Sequence, residues 1–376
     1  MRSPLGFKTL GLALRVLAAG AALAASACSR GAGPGGGPAG ATSTPSAIPR
    51  PAASAPNELV KTGSALYVRY CALCHGKDVT GYAADNAPSL VTQTFLESAD
   101  DAFIANAIRV GRPSTAMGAY GTDRGGPLDN SAIGAIVAFV RSHGPVSRAL
   151  PVSAVGDAER GRVVYERECA TCHGSETERK TALSLFNPEL LRGVTPAFLR
   201  YAVENGRAPT PMPAFRTKLG AAEIDDVLGF LLSKAPKPVS APEPAATVPE
   251  NLPVVINPKG RAPVFTLRED RFVSAEQVKK ALAEHRRMVI VDARSPADWI
   301  LYHIPGAISG PYYNAKVLER IPNDGTWVIA YCACPHHASG AVVDALKQKG
   351  YKHAVVLDEG ILFWRQSKFP LEGTQK

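Results

Sequence analysis

The chain has 376 residues, 45% hydrophobic and 20% charged, which excludes a wholly disordered protein. At about 100–200 residues per domain it has room for two or three packed units. Seven Cys are too few for a disulfide scaffold at this length, and a formal charge of +9 indicates an acidic partner at most and says nothing of fold. Gly (34) and Pro (31) are abundant and concentrate in linkers, whereas only four Met occur, so each Met position is informative.

In chain order, residues 1–27 read as an export signal. Arg2, Lys8 and Arg15 precede an apolar run from Val16 to Ala27, 12 residues against the roughly 20 a membrane span needs. The run ends Leu23-Ala-Ala-Ser-Ala-Cys28, which resembles a bacterial lipobox with Ala25 where Leu is usual. Cys28 is thus expected to carry lipid and begin the mature chain; the other reading is an ordinary signal peptide with Cys28 incidental. Removing residues 1–27 takes away three positive charges and no negative one, leaving +6. Residues 28–57, rich in Gly, Pro, Ala, Ser and Thr, form a flexible tether. Ser29 replaces the Asp that would signal inner-membrane retention, so the expected site is the cell envelope, facing the periplasm and leaning towards the outer membrane.

Two segments then repeat each other at fixed spacings. Gly63 lies eight residues before Cys71 and Gly161 eight before Cys169; Tyr67 and Tyr165 lie four before the same cysteines. Cys71-Ala-Leu-Cys74-His75-Gly76 matches Cys169-Ala-Thr-Cys172-His173-Gly174. Phe103 and Phe198 each precede a Met by fourteen residues, and Gly111-Arg112 and Gly206-Arg207 stand at equal distance before Met117 and Met212. Each copy closes on an apolar helical stretch, Ile133 to Val140 and Ile224 to Leu232. Units of this size are small enough to need a cofactor to complete their cores. The expected units are 58–146 and 155–234, followed by a Pro-rich linker at 235–263.

The remainder, 264–376, has a different rhythm. Met288–Asp292, Trp327–Tyr331 and Val355–Leu357 are short apolar runs expected as buried strands, and Ala275–His285 and Ser339–Lys349 are expected as helices. That alternation predicts a parallel sheet with helices on both faces.

Cys-x-x-Cys-His is the attachment pattern of c-type haem: the thiols bond the haem vinyl groups and the adjacent His ligates iron. A zinc site would need two more ligands, and neither copy has another Cys; a redox dithiol would not be duplicated with the same flanks. Residues 58–144 and 156–233 each resemble a class I cytochrome c domain. The resemblance implies an all-helical fold around one covalent haem, held by Cys71 and Cys74 in the first copy and by Cys169 and Cys172 in the second. It implies His75 with Met117, and His173 with Met212, as axial iron ligands. Pro211-Met212-Pro213-Ala-Phe215 follows the family's ligand loop closely; Met117-Gly-Ala-Tyr120 lacks the flanking prolines. His143, at a helix end, is expected to be a solvated cap. Six-coordinate haem with a Met thioether implies a positive couple and electron carriage without substrate binding at iron.

Val289-Ile-Val-Asp292-Ala-Arg294, His303-Ile-Pro-Gly306-Ala307, Tyr331-Cys332 and Gly360-Ile-Leu-Phe-Trp364 together resemble the rhodanese family. The resemblance implies an α/β domain in which the strand-end Cys332 attacks a sulfane sulfur and carries it as a persulfide. Backbone N–H groups and a helix N-terminus there would stabilise a thiolate. The loop Cys332-Ala-Cys334-Pro-His336-His337-Ala-Ser339 departs from the family, where a Gly and often an Arg are expected, and Glu359 replaces a usual Gly. Three roles stay open: a nucleophile assisted by His336 or His337, a copper or zinc site of Cys332, Cys334 and the two His, or an inert fold. Asp292 and Arg294 are expected to pair structurally, with Trp299 and Trp364 as core or pocket wall.

The fold class expected is multidomain, two all-α cytochrome c-like domains followed by an α/β rhodanese-like domain. The cofactors are two covalently bound haem c. The partners are redox proteins that donate and accept electrons, the membrane through the lipid anchor, and a small sulfur compound, with nothing pointing to nucleic acid. Two readings of function remain: electron transfer coupled to sulfur carried or oxidised on Cys332, or a plain electron relay whose last domain docks, senses or binds metal. Four haem propionates would offset most of the mature charge, so the basic surplus is weak evidence for an acidic partner.

Overall fold

Capped amphipathic helices build the first two units, in a computed structural model that describes residues 55–236, 247–333 and 336–375. The stretch expected as export signal, Cys28, most of the expected tether, part of the expected Pro-rich linker and Cys334 lie outside the described residues. The first unit contains α1 (Ala55–Tyr70), α2 (Ala72–His75), α3 (Gln93–Ser98), α4 (Asp101–Val110) and α5 (Asn130–Arg141). The second repeats the order with α6 (Ala158–Glu168), α7 (Ala170–His173), α8 (Pro188–Gly193), α9 (Pro196–Asn205) and α10 (Ala221–Ser233). α1 starts three residues inside the stretch expected as tether, since Pro56 in a first turn costs a helix no hydrogen bond.

The caps sit where short polar side chains precede apolar runs. Thr92, Asp100 and Asp129 accept from the N–H three residues on, at the starts of α3, α4 and α5. Asp157, Asn187 and Thr195 do the same for α6, α8 and α9.

In each unit the first and last helices cross at a glycine. A Cβ on Gly63 would overlap the Ala135 carbonyl in α5, and one on Gly161 would overlap the Asp226 carbonyl in α10. Tyr67 and Tyr165, one turn on, are buried, and their hydroxyls donate to the carbonyls of Gly76 (2.7 Å) and Gly174 (2.9 Å). The repeated Gly and Tyr of the sequence are therefore a packing pair. Ala is about 1 kcal/mol better than Gly inside a helix, but overpacking costs about 1–3 kcal/mol, and backbone cannot rotate aside. Gly63→Ala should lower stability by about 2 kcal/mol in a denaturant titration.

The third unit is a five-stranded parallel sheet, with strands β1 (Phe272–Val273), β2 (Met288–Asp292), β3 (Ile308–Ser309), β4 (Trp327–Tyr331) and β5 (Ala354–Leu357) in the order β1-β5-β4-β2-β3. β2 and β4 pair in register from Met288 opposite Trp327 to Asp292 opposite Tyr331. Between strands run α11 (Ala275–Ala283), α12 (Pro296–Leu301), α13 (Ala315–Leu318) and α14 (His337–Gln348), and α15 (Gly360–Gln366) follows β5. Val289, Val291, Val328 and Ala330 pack on one side with Val342, Val343 and Leu346 of α14. Met288, Ile290, Ile329 and Tyr331 pack on the other with Val278 of α11 and Trp364 of α15. Burial on both faces explains strands that are apolar throughout rather than alternating. Met288 is core, as are Trp299 and Trp364. The two-residue strands β1 and β3 carry no periodicity that a sequence pattern could register.

Candidate functional site: two cofactor cradles and a strand-end cysteine

Each Cys-x-x-Cys-His segment is one tight turn following a long helix. Cys71 N–H donates to the Tyr67 carbonyl, and the N–H groups of Cys74 (3.1 Å) and His75 (3.0 Å) return to the Cys71 carbonyl. Cys169, Cys172 and His173 repeat this with the same distances to Cys169. Two thiols and an imidazole thus stand on one turn. His75 Nδ1 lies 2.9 Å from the Pro88 carbonyl, and His173 Nδ1 lies 2.8 Å from the Leu183 carbonyl. A carbonyl can only accept, so Nδ1 carries the proton and Nε2 keeps its lone pair for a metal. Burial pushes the Cys71 thiol up to about 12, with Cys74 adding to it, and the Cys169 thiol to about 11. Burial also holds both imidazoles below the ordinary histidine value.

The Met loops match equally well. Gly111 and Gly206 end α4 and α9 at φ +66°, where backbone returns so closely that a Cβ would meet Gly118–Ala119 or Pro213–Ala214. Arg112 N–H donates to the Met117 carbonyl (2.7 Å) and Arg207 N–H to the Met212 carbonyl (3.0 Å). Thr115 and Thr210 accept from the Met N–H groups (3.1 and 3.3 Å). Both Met side chains are half-buried. His143 is exposed, with Nδ1 2.9 Å from the Phe139 carbonyl at the end of α5, the capping role expected of it.

Two residues went unnoticed as site candidates. Arg112 and Arg207 lie over the Phe103 and Phe198 rings at 5.9 and 5.3 Å, and neither forms an ion pair among the described residues. Burial holds both below the ordinary guanidinium value, Arg207 at about 10. A half-buried cation without an ion-paired carboxylate, Glu189 acting on Arg112 only from beyond ion-pair distance, suits an anionic group supplied by a cofactor. The repeated Gly-Arg was the available signal. The chemistry of each unit therefore fits haem c: thiols for the vinyl groups, an imidazole Nε2, a thioether in the repeated loop and a cation for a propionate.

The two units meet about a local pseudo-two-fold. α3 packs on α9 as α4 packs on α8. Phe103 meets Phe198 at 4.9 Å, Thr94 Oγ1 donates to the Gly206 carbonyl, and Asn187 Nδ2 donates to the Pro113 carbonyl.

In the third unit, Cys332 follows β4 at the carboxyl edge of the sheet, where open α/β folds place ligands. It is 2% exposed, with Sγ 3.3 Å from Ser339 Oγ in the first turns of α14. Its carbonyl accepts from Ile361 N–H, and Gly360, at φ +69°, leaves no room for a side chain against that carbonyl. His336 is held by Asp358, with Nε2 2.7 Å from the backbone oxygen and 3.0 Å from Oδ1, and its ring lies 4.3 Å from that of Phe272. His337 is exposed. Ser339 is a third residue whose place only the fold reveals. Among the described residues no three His, Cys, Asp or Glu side chains group as a metal site. Asp292 and Arg294 form the expected pair, 2.7 Å apart and buried. Burial works against the guanidinium, but the Asp292 charge outweighs it and holds Arg294 well above its ordinary value. Glu359, the departure from the family glycine, accepts from Ala275 N–H at the start of α11 (2.8 Å).

The model of cbb3-type cytochrome c oxidase subunit III matches residues 58–140 and 156–231, and that of the rhodanese-like domain matches 274–367. The cbb3-type cytochrome c oxidase subunit CcoP of Azospirillum brasilense is 29% identical over 184 residues, 45% of this chain and 60% of that protein. The chain thus spans about 60% of the length of that relative. The cytochrome c-553-like protein of Synechocystis sp. is 31% identical over 97 residues, 26% of this chain and 86% of that one. A sulfurtransferase of Allochromatium vinosum is 28% identical over 100 residues, 26% of this chain and 92% of that one. Cytochrome c domains imply covalently bound haem c and redox partners. The chain belongs to the cytochrome c family, with two cytochrome c domains joined to a C-terminal rhodanese-like domain.

Proposed function

We propose that this is a dihaem c-type cytochrome, lipid-anchored at Cys28 and facing the periplasm, that passes electrons between redox proteins and carries sulfane sulfur on Cys332. The observation that carries the reading is the duplicated cradle, in which hydrogen bonds at Cys71–His75 recur at Cys169–His173 and those at Met117 recur at Met212. Haem bound in each cradle supplies a reversible one-electron couple. Cys71 and Cys74, and Cys169 and Cys172, would hold it, and His75 with Met117, and His173 with Met212, would donate to its iron. A neutral thioether paired with imidazole favours the reduced metal and a positive couple.

At Cys332, the thiolate attacks the outer sulfur of a sulfane donor such as thiosulfate. The donor's S–S bond breaks, sulfite leaves with the bonding pair, and Cys332 keeps one sulfur as a persulfide. The charge balances and no oxidant is consumed. The Ser339 hydroxyl can donate to the thiolate, and α14 presents its N-terminus to it. His336 and His337 remain candidates for assisting the proton balance.

The test is intact-mass analysis of the full chain after exposure to thiosulfate or glutathione persulfide. Wild type should gain one sulfur atom, and Cys332→Ser should gain none; a wild type that gains none overturns sulfur carriage. Adding the same donors to oxidised protein and following the haem α-band separates the second reading. Reduction that is absent, or equal in Cys332→Ser, leaves the rhodanese-like domain as a docking or sensing module. Its altered loop, without the family's Gly and Arg, supports that alternative.

A further inference from the structure

The carboxyl edge of the rhodanese-like sheet is turned towards the first cytochrome unit. Tyr312 and Tyr313 lie beyond β3, Ser295 and Asp298 beyond β2, α14 beyond β4, and Arg365 in α15 beyond β5. Tyr312 Oη donates to the Tyr70 carbonyl (2.7 Å), and Arg365 Nη1 donates to Ser114 Oγ (3.3 Å). α14 packs on α2, the turn that carries Cys74 and His75. Leu73, between the two attachment cysteines, and Ala116, beside Met117, pack against the core cluster that includes Cys332. Gly118 approaches Ser295 and Asp298 so closely that a Cβ would strike both. The cytochrome residues contacted therefore flank both the attachment cysteines and the axial Met.

Tyr313 goes deepest. Its ring packs on the core cluster of the first unit, on which Cys71 also packs, and lies 4.9 Å from the Tyr70 ring and 6.0 Å from the Tyr120 ring. Its backbone carbonyl accepts from Arg69 Nη2 (3.3 Å). Its hydroxyl is buried and has no hydrogen-bond partner among the described residues. An unsatisfied buried hydroxyl costs about 1–3 kcal/mol, so a phenol held this way is expected to have an acceptor that the polypeptide does not provide.

We infer that the rhodanese-like domain completes the first haem site, with Tyr313 donating a hydrogen bond to the haem held by Cys71 and Cys74. Among the described residues the second unit receives no such residue from the sheet's carboxyl edge, so the two haems differ in environment although their cradles repeat. The inference rests on the two-haem reading, and the experiment keeps the two apart.

The experiment is a spectroelectrochemical titration of the full chain, wild type against Tyr313→Phe, with haem content measured on the same samples. Tyr313→Phe keeps the ring and removes only the hydroxyl. A lost donor to the haem should shift the midpoint of one of two couples and leave the other in place. Tyr351→Phe, which removes a hydroxyl bonded to the Ile321 carbonyl elsewhere in the same domain, should move neither. Two haems per chain with both couples unmoved in Tyr313→Phe overturns the inference. Fewer than two haems in wild type overturns the two-haem reading instead. Should Tyr313→Phe lose haem, Tyr313→His, which restores a ring donor, should recover two haems per chain and both couples; failure to do so also overturns it.

Discussion

Replacing Cys71 and Cys74 together by Ala should halve the covalent haem of the chain, and replacing Cys169 and Cys172 as well should remove it entirely. Each pair sits on its own turn, closed by its own hydrogen bonds to Cys71 or Cys169, so the two attachments are chemically independent. One thiol left in a cradle can still form one thioether, so full loss requires both members of a pair. The measurement is haem-stained denaturing electrophoresis with haem quantified per chain. Full covalent haem in the four-fold variant would sink the assignment. The same substitutions should lower stability, because Tyr67, Tyr70, Leu96 and Ile136 pack around a cradle whose filling completes a small core. The halved variant should keep the haem of the untouched unit, since α1–α5 and α6–α10 have separate core clusters.

Arg294→Leu should destabilise the rhodanese-like domain by about 3–5 kcal/mol, the cost of leaving one member of a buried pair without its partner. Arg294 holds Asp292 through its side chain and its own N–H, and its Nη2 donates to the Tyr302 carbonyl (2.6 Å). Tyr331 Oη also donates to Asp292 (2.8 Å), so the carboxylate anchors β2, β4 and the segment after α12 together. All three Trp of the chain, Trp299, Trp327 and Trp364, lie in this domain, so their fluorescence in urea reports its unfolding. In the variant, Asp292 would be buried without its cation. An unfolding midpoint equal to wild type at neutral pH would refute this account of the pair.

The legible parts were those whose chemistry is local in sequence. A Cys-x-x-Cys-His turn closes within five residues, so its spacing alone states what it can hold. The strands Met288–Asp292 and Trp327–Tyr331 matched the sequence reading because both faces are buried, making their apolar runs continuous. Helix ends were less legible: α5 and α10 each extend beyond the apolar stretch at both ends, because polar first and last turns obey caps rather than the core.

Repetition by itself also established that Gly63 and Gly161, or Arg112 and Arg207, hold equivalent places, without saying why. The reasons depend on chain segments far apart: Ala135 pressing on Gly63, and burial that strips Arg112 and Arg207 of water without an ion-paired carboxylate. Likewise, the sequence determined that a cytochrome pair precedes a rhodanese-like domain with Cys332 at a strand end. Only the tertiary structure decided that His336 is engaged by Asp358, that Ser339 stands beside Cys332, and that Tyr313 enters the first cytochrome unit. Spacing within one turn is dictated by covalent geometry, whereas a contact between domains depends on which surfaces exclude water together, a property of no single segment.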